Sequence, residues 1–521
     1  MRRVLSVLAG CGLLALGGCI FLYDSGKYDG AVGTDGTGGA GGLVGAGGAG
    51  GQGGGACRVE WCFTAEEEAS PCPTVKCATV TGQRYPFASD QDARGIALGK
   101  DPANVRIYVA GRYQGSMTIG SSNLMSEGGP MGDDGYVAVF GPGFTGVAAQ
   151  SMNQGLGLPP RIAHGVAFGT SNQVIVGGRF TDATNELEGF VRAYSDDLAM
   201  IQWTQAVSGP GNDEVVAVAA GDSYAYAVAT VTSVEGIDTD VTIPCASVMP
   251  KTVFAGEKHM VLLAYDAVGN CKWARRFSGG VHEPMAMTMG SQNELFVTGT
   301  YTGALEGTET TPAPETIPSG NPAMFLMKID GVSGLVTGIA TYGGGGGGAA
   351  TPRAISSNGA GLVLVTGSSS GVVDFGKGPL VADKDSLFVL AASGTTTQWS
   401  SIIGGASNPG GESRGLGIVP SGAGGALVSG TFFTTLDFDP QNEGIDVTRK
   451  DLAALLARFD ENGALQWLDV LGHVEEPKAH ALPLAFGDAG IFLATGWKAQ
   501  LVFESNSQPG ELDIVLAQIT P

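Results

Sequence analysis

Basic residues are few. Lys and Arg total 28 of 521 residues against 50 Asp and Glu, for a formal net charge of −22. Such an excess of acid repels phosphate backbones, which argues against nucleic acid as a partner and against direct contact with anionic lipid headgroups. Histidine is scarcer still, with five residues in all, so metal or acid–base chemistry has few imidazoles to draw on. Charged residues make up 15% and aromatics 7% of the chain. The first figure argues against coiled coils and helical bundles. The second is thin for the aromatic girdles of a membrane β-barrel, whose strands also run about 9–11 residues. What the chain has instead is glycine, 86 residues of it, a mix suited to many short strands joined by tight turns.

The N-terminus reads as an address. Met1-Arg2-Arg3 is basic, and Val4 to Leu16 is apolar but for Ser6, Gly10 and Gly12. That run falls short of the roughly 20 residues a spanning helix needs. It ends in Leu16-Gly17-Gly18-Cys19. These four residues resemble the lipobox of bacterial lipoproteins: an aliphatic residue, two small residues, then the cysteine that becomes the new N-terminus. The resemblance implies that residues 1–18 are a signal peptide and that the Cys19 thiolate accepts a diacylglyceryl group. An ordinary secretory signal with a chance cysteine is the alternative. Arg2 and Arg3 leave with the signal and no acid does, so the mature charge becomes −24. Several acyl chains (palmitate among them) hold a membrane far better than one, at about 0.8 kcal/mol per buried CH₂. Ile20 after the cysteine, rather than Asp, implies delivery to the outer membrane by the same resemblance.

Residues 19–56 are expected to form a flexible linker, since a stretch such as Gly36 to Ala56 cannot bury enough apolar surface to offset its ordering entropy. A coil of that length reaches about 30–35 Å, enough to lift a domain clear of headgroups. Residues 57–78 carry Cys57, Cys62, Cys72 and Cys77 in the spacing C-x4-C-x9-C-x4-C. Zinc knuckles prefer C-x2-C, so in an exported chain two disulfides are the better reading. Three pairings fit the spacing. Cys245 and Cys271 form a second candidate pair, and with Cys19 acylated the six remaining cysteines can all pair.

Residues 79–521 repeat one unit. Its landmark is an aliphatic run ending in Gly and an aromatic: Ile107 to Tyr113, Val174 to Phe180, Leu295 to Tyr301, Leu362 to Gly367, Ala426 to Phe432 and Phe492 to Trp497. Ala225 to Val231 is a copy without the Gly. The mean period is near 64 residues. A short strand precedes each landmark, as at Arg94 to Leu98 and His164 to Phe168. Another follows, as at Gly135 to Phe140 and Met260 to Tyr265. A fourth carries Trp203, Trp273, Trp399 or Trp467. Four strands repeated seven times predict an all-β propeller, because one such sheet cannot bury both faces alone. The seventh unit lacks a fourth strand, and Thr79 to Phe87 can supply it at an edge and close the ring.

The unit resembles the seven-bladed β-propeller repeat of many exported bacterial proteins. The likeness rests on the V-x-G-x-[FY] strand, on the segment clearest at Gly371-Val-Val-Asp-Phe-Gly376 and Thr435 to Asp439, and on the Trp strand. It implies a fold and an envelope location, and no one activity. Unit three departs most, lacking the Gly and holding Cys245 in a long insertion, which leaves its blade geometry open.

Candidate sites are weak. Gly367-Ser-Ser-Ser-Gly371 matches the hydrolase elbow G-x-S-x-G, but it falls at a repeat position and lacks the expected strand-to-helix context. Of the five histidines (His164, His259, His282, His473 and His480), His282 and His473 fall in equivalent inter-blade turns and read as solvated. Those turns also hold Asp92, Asp213, Glu214, Glu412, Glu475 and Glu476, a ring of carboxylates suited to cations or basic ligands. Asp437, Asp439, Asn442 and Glu443 offer hard oxygens for calcium but lack the EF-hand glycine. Gly343 to Gly348 reads as a loop. No catalytic residue, cofactor or metal ligand is assigned. The expected function is a lipid-anchored, non-enzymatic binding or scaffold module with an envelope protein or glycan as partner. The alternative is a polysaccharide-active enzyme using paired carboxylates at the channel mouth.

Overall fold

The computed structural model describes residues 53–54, 61–63, 69–71, 79–85 and most of 90–520; the longer stretches left out are 127–132, 154–160, 233–257, 308–315, 405–411, 438–445, 475–480 and 498–512. The chain winds seven antiparallel four-stranded sheets into a ring. Blade 1 is Gln91–Leu98, Ile107–Gln114, Asp133–Phe140 and Gly146–Ser151. Blade 2 is Arg161–Gly169, Gln173–Thr181, Leu187–Tyr194 and Ile201–Val207. Blade 3 is Glu214–Ala220, Ala225–Thr232, Lys258–Tyr265 and the first part of Cys271–Met289. That strand runs on into blade 4, with Glu294–Gly307, Ala323–Asp330 and Val336–Tyr342. Blade 5 is Ala349–Ser357, Leu362–Asp374, Pro379–Ser393 and Thr396–Ile403. Blade 6 is Glu412–Ser421, Gly425–Phe433, Leu452–Phe459 and Leu465–Val474. Blade 7 is Leu484–Gly487, Gly490–Trp497, Asp513–Thr520 and Thr79–Tyr85. The strands of each blade are called a to d in that order.

The a strands touch one another all round the ring, blade 7 meeting blade 1, so they are the innermost. Closure comes from the segment the sequence suggested: Thr79–Tyr85 pairs with Asp513–Thr520. One element was not foreseen. Gly53–Gly54, inside the expected linker, adds to the open edge of Thr79–Tyr85. An outermost strand leaves unpaired N–H and C=O groups, and a two-residue strand covers part of them.

Packing follows the same logic. Seven apolar clusters fill the interior, and each is built from two consecutive blades. Between blades 7 and 1, Phe492 and Ile514 meet Ile107 and Tyr136. A blade removed from the ring would expose both faces, at about 1.5–3 kcal/mol for each large aliphatic side chain.

Two glycine columns have a structural cause. The a strands of blades 1 to 6 each carry a bulge, at Arg94, His164, Val216, Met285, Arg353 and Leu416. The bulge drives a carbonyl toward strand b. A Cβ on Gly111, Gly178 or Gly367 would fall 2.0 Å from the oxygen of Asp92, Ile162 or Thr351. Blade 3 keeps the bulge with Ala229 in that place, so its blade is regular despite the missing glycine. The second column lies in the turn between strands c and d. There Gly269, Gly334 and Gly463 have positive φ, and a Cβ on each would lie 2.6–2.7 Å from the ring of Trp203, Trp273 or Trp399 in the preceding blade.

Candidate functional site

The two ends of the ring differ. Turns a–b and c–d are short, as at 170–172, 221–224 and 266–270. The opposite face carries the b–c connections, and most of these are elaborated, that of blade 2 (182–186) being short. Blade 1 adds the hairpin Ser116–Ile119 with Ser122–Met125. Blade 4 adds Thr316–Ile317 against Gly303 and Ala304. Blade 5 extends through the pair Val372–Val381, and blade 6 adds Thr435–Asp437 with Asp446–Thr448. Connections on one end of a rigid scaffold are where binding groups usually sit, so the b–c face is the candidate functional face. Met125, Val372, Val381 and Phe433 are exposed apolar residues there.

The d–a turns open on the same face, and the inter-blade acids lie among them. They do not form a free carboxylate ring. Asp92 accepts from Arg94 at 3.1 Å, and Arg112 bridges to Asp133 at 3.0 Å. Glu214 meets Arg179 at 3.2 Å and His164 at 3.4 Å. Glu283 meets Lys258 at 2.7 Å, and Arg414 holds Asp385 at 3.1 Å and Glu412 at 3.5 Å. The partly exposed pairs contribute little stability, but together they offset much of the local negative charge. The ring of the sequence reading is therefore corrected: its described members are paired or buried. Glu475, Glu476 and His480 lie outside the described residues.

His282 is not a solvated turn residue. His259 and His282 are buried, with ring centroids 6.4 Å apart. His282 Nε2 bonds the Ala304 carbonyl at 2.9 Å. Burial pulls His259 down to about 4, and the nearby Arg276 adds to the effect. Burial likewise lowers His164 to about 3 and lowers His282. His473 lies in strand d of blade 6.

A relation the sequence reading missed joins consecutive blades. Glu188, His259, Ala323 and Ser386 stand at one register position, two residues before the residue paired with the strand-b landmark. Asp213, His282, Ala350 and Ser413 hold the equivalent place in strand a of the following blade, or just before it. Acid faces acid, imidazole faces imidazole, methyl faces methyl and hydroxyl faces hydroxyl. All eight residues are buried. Burial is the main cause that lifts Glu188 to about 7 and Asp213 to about 8; Asp182 and Glu186 push Glu188 further, and Glu188 pushes Asp213.

Other candidates resolve simply. Ser368 to Ser370 lie inside strand Leu362–Asp374, and Ser369 Oγ donates to the Ser386 carbonyl at 3.3 Å, so no elbow forms. Gly343 and Gly344 open the loop before Ala349, both with positive φ. Asp437 pairs with Asp446 in a short hairpin; Asp439, Asn442 and Glu443 lie outside the described residues. Among the described residues no three His, Cys, Asp or Glu side chains group as a metal site. Cys271 is disulfide-bonded. Cys62 lies in Trp61–Phe63, which pairs with Ala69–Pro71. Cys19, Cys57, Cys72, Cys77 and Cys245 lie outside the described residues. Among the described residues no helix is long and apolar enough to cross a membrane.

No protein-family model matches the chain, and no curated protein does. Solved structures match at the level of fold. The hemagglutinin-neuraminidase of Parainfluenza Virus 5 is 8% identical, with 85% of this chain and 95% of that one covered and a TM-score of 0.38. The phage phi92 endosialidase is 10% identical, with 85% and 68% covered and a TM-score of 0.37. A quinohemoprotein alcohol dehydrogenase of Pseudomonas putida HK5 is 8% identical, with 84% and 75% covered and a TM-score of 0.36. Similarity of this depth carries no argument about activity, so the chain stands as a seven-bladed, all-β propeller whose function is read from its own faces.

Proposed function

We propose that the chain is an exported lipoprotein, anchored in the outer membrane by acyl groups on Cys19, that presents its propeller as a binding or scaffold module. The partner is an envelope protein or glycan, held on the b–c face. The observation that carries this reading is the charge arrangement there: Asp92, Asp133, Glu214, Glu283, Asp385 and Glu412 each have a cation within 3.5 Å. Glycoside hydrolysis needs two carboxyl groups about 5–10 Å apart with a sugar between them, and acids already neutralised by Arg and Lys are poor candidates. Long hairpins around a centre of ion-paired acids suit recognition of a polar surface. Pairing of Cys245 with Cys271 is part of the same proposal.

Full-length protein mixed with isolated envelope polysaccharide tests the reading against hydrolysis. Retention without new reducing ends is expected if a glycan is the partner, and neither retention nor cleavage if it is a protein. Release of reducing ends that Glu214→Gln or Glu412→Gln abolishes would replace the binding reading with the enzymatic one.

A further inference from the structure

The interface between blades 2 and 3 buries two acids where the fold requires none. Glu188 is 7% exposed and Asp213 1%. The Asp213 amide donates to the Leu187 carbonyl at 2.7 Å, which sets the two residues side by side. Asp213 Oδ1 accepts from the Thr232 amide at 2.9 Å, and the Gly209 amide favours the charged form of both carboxyls, against the larger effect of burial. Among the described residues, that leaves Glu188 Oε2 and Asp213 Oδ2 buried with no hydrogen-bond partner. Arg179, which pairs with Gly189 next to Glu188 in the sheet, is turned to Glu214 at 3.2 Å. Asp182 and Glu186 add negative charge beside Glu188.

Equivalent places elsewhere show what the fold itself asks for. Between blades 4 and 5 the pair is Ala323 and Ala350, and between blades 5 and 6 it is Ser386 and Ser413. The serines satisfy themselves: Ser413 Oγ accepts from the Leu387 amide at 2.8 Å and donates to the Ile403 carbonyl at 3.1 Å. Packing is therefore met by methyl or hydroxyl groups. Two carboxyls with unpaired oxygens are costly to bury, and a bound cation removes that cost.

We propose that Glu188 and Asp213 hold a calcium ion between blades 2 and 3, through Glu188 Oε2 and Asp213 Oδ2. Calcium fits because the donors are hard carboxylate oxygens and its coordination is flexible. As a site with two buried carboxylates, it needs water and backbone carbonyls to complete the six to eight oxygens calcium takes. The ion would tie two blades together below the b–c face, independently of what that face binds. It is distinct from the Asp437 segment in blade 6.

Thermal unfolding and equilibrium dialysis of the full-length chain at pH 7.5 test this, with calcium chloride against EDTA. The expected result is a calcium-dependent rise in Tm of about 3 °C at a hundredfold excess over Kd. Glu188→Ser with Asp213→Ser, which copies the blade 5/6 pair, abolishes it, and Asp437→Asn keeps it. If the double variant does not fold, dialysis of the wild type and of Asp437→Asn still decides. Two results would overturn the proposal: equal melting in calcium and EDTA with no ion retained, meaning that the carboxyls share a proton only, or a rise that survives the serine pair or disappears in Asp437→Asn.

Discussion

The indole of Trp273 lies against the bare α-carbon of Gly334 in the next blade, so close that a Cβ there would fall 2.7 Å from the ring. The indole N–H donates to the Gly331 carbonyl at 2.9 Å. Gly334 also has φ of 73°, so a side chain there meets both a ring and a strained backbone. Gly334→Ala is expected to destabilise the protein by about 2–4 kcal/mol. Gly359→Ala is the control: φ is 68° with nothing within 4 Å of the added Cβ, so only backbone strain remains, about 1–2 kcal/mol. Urea unfolding of both variants separates overlap from strain.

The bulge column gives a second test. Gly367→Ala places a methyl 2.0 Å from the Thr351 oxygen and is expected to cost about 1–3 kcal/mol by forcing strands apart. Blade 3 has already accommodated this with Ala229 opposite Val215, so Ala229→Gly should cost little beyond the glycine entropy of about 0.5–1 kcal/mol. Equal losses in the two variants would contradict the bulge account.

The repeat was readable because strand periodicity, the glycine landmark and the tryptophan strand recur in register, and Thr79–Tyr85 closed the ring as its composition allowed. The meaning of the glycines was not readable. Gly111 answers a carbonyl in strand a, and Gly334 answers a ring in another blade, and neither contact is local in sequence. The buried pairs were missed for the same reason. Glu188 and Asp213 are 25 residues apart, and each looks like an ordinary turn acid until column is compared with column across blades. His282 was misread as solvated because its burial depends on blade 3, which supplies His259.

Stability should depend on pH through these pairs, with opposite signs. Glu188 and Asp213 rise to about 7 and about 8 when folded, so the folded state holds protons the unfolded state has released. Without divalent cation, the contribution of this pair is therefore fully present below about pH 4 and is lost as pH rises toward 8. His259 is lowered to about 4, so its contribution runs the other way, present above about pH 6.5 and lost as pH falls toward 4. Denaturation midpoints in EDTA across pH 4–8 check this. Glu188→Ser with Asp213→Ser should remove the fall toward pH 8 and leave the His259 limb.

Anchoring is tested at Cys19. Cys19→Ser is expected to move the protein from the membrane fraction to the soluble fraction, since no acyl chain then holds it. Wild-type protein that remains soluble after export, without detergent, would contradict the anchor.

The central claim is that one face of the ring meets a partner. Photo-crosslinking residues placed singly at Val381 on the b–c face and at Val268 on the opposite face test it on intact cells expressing the full chain. Both positions are exposed, at 50% and 71%. The account predicts one reproducible adduct, protein or glycan, from Val381 and none of that identity from Val268. The same adduct from both positions, or none from Val381 and a specific one from Val268, would contradict it.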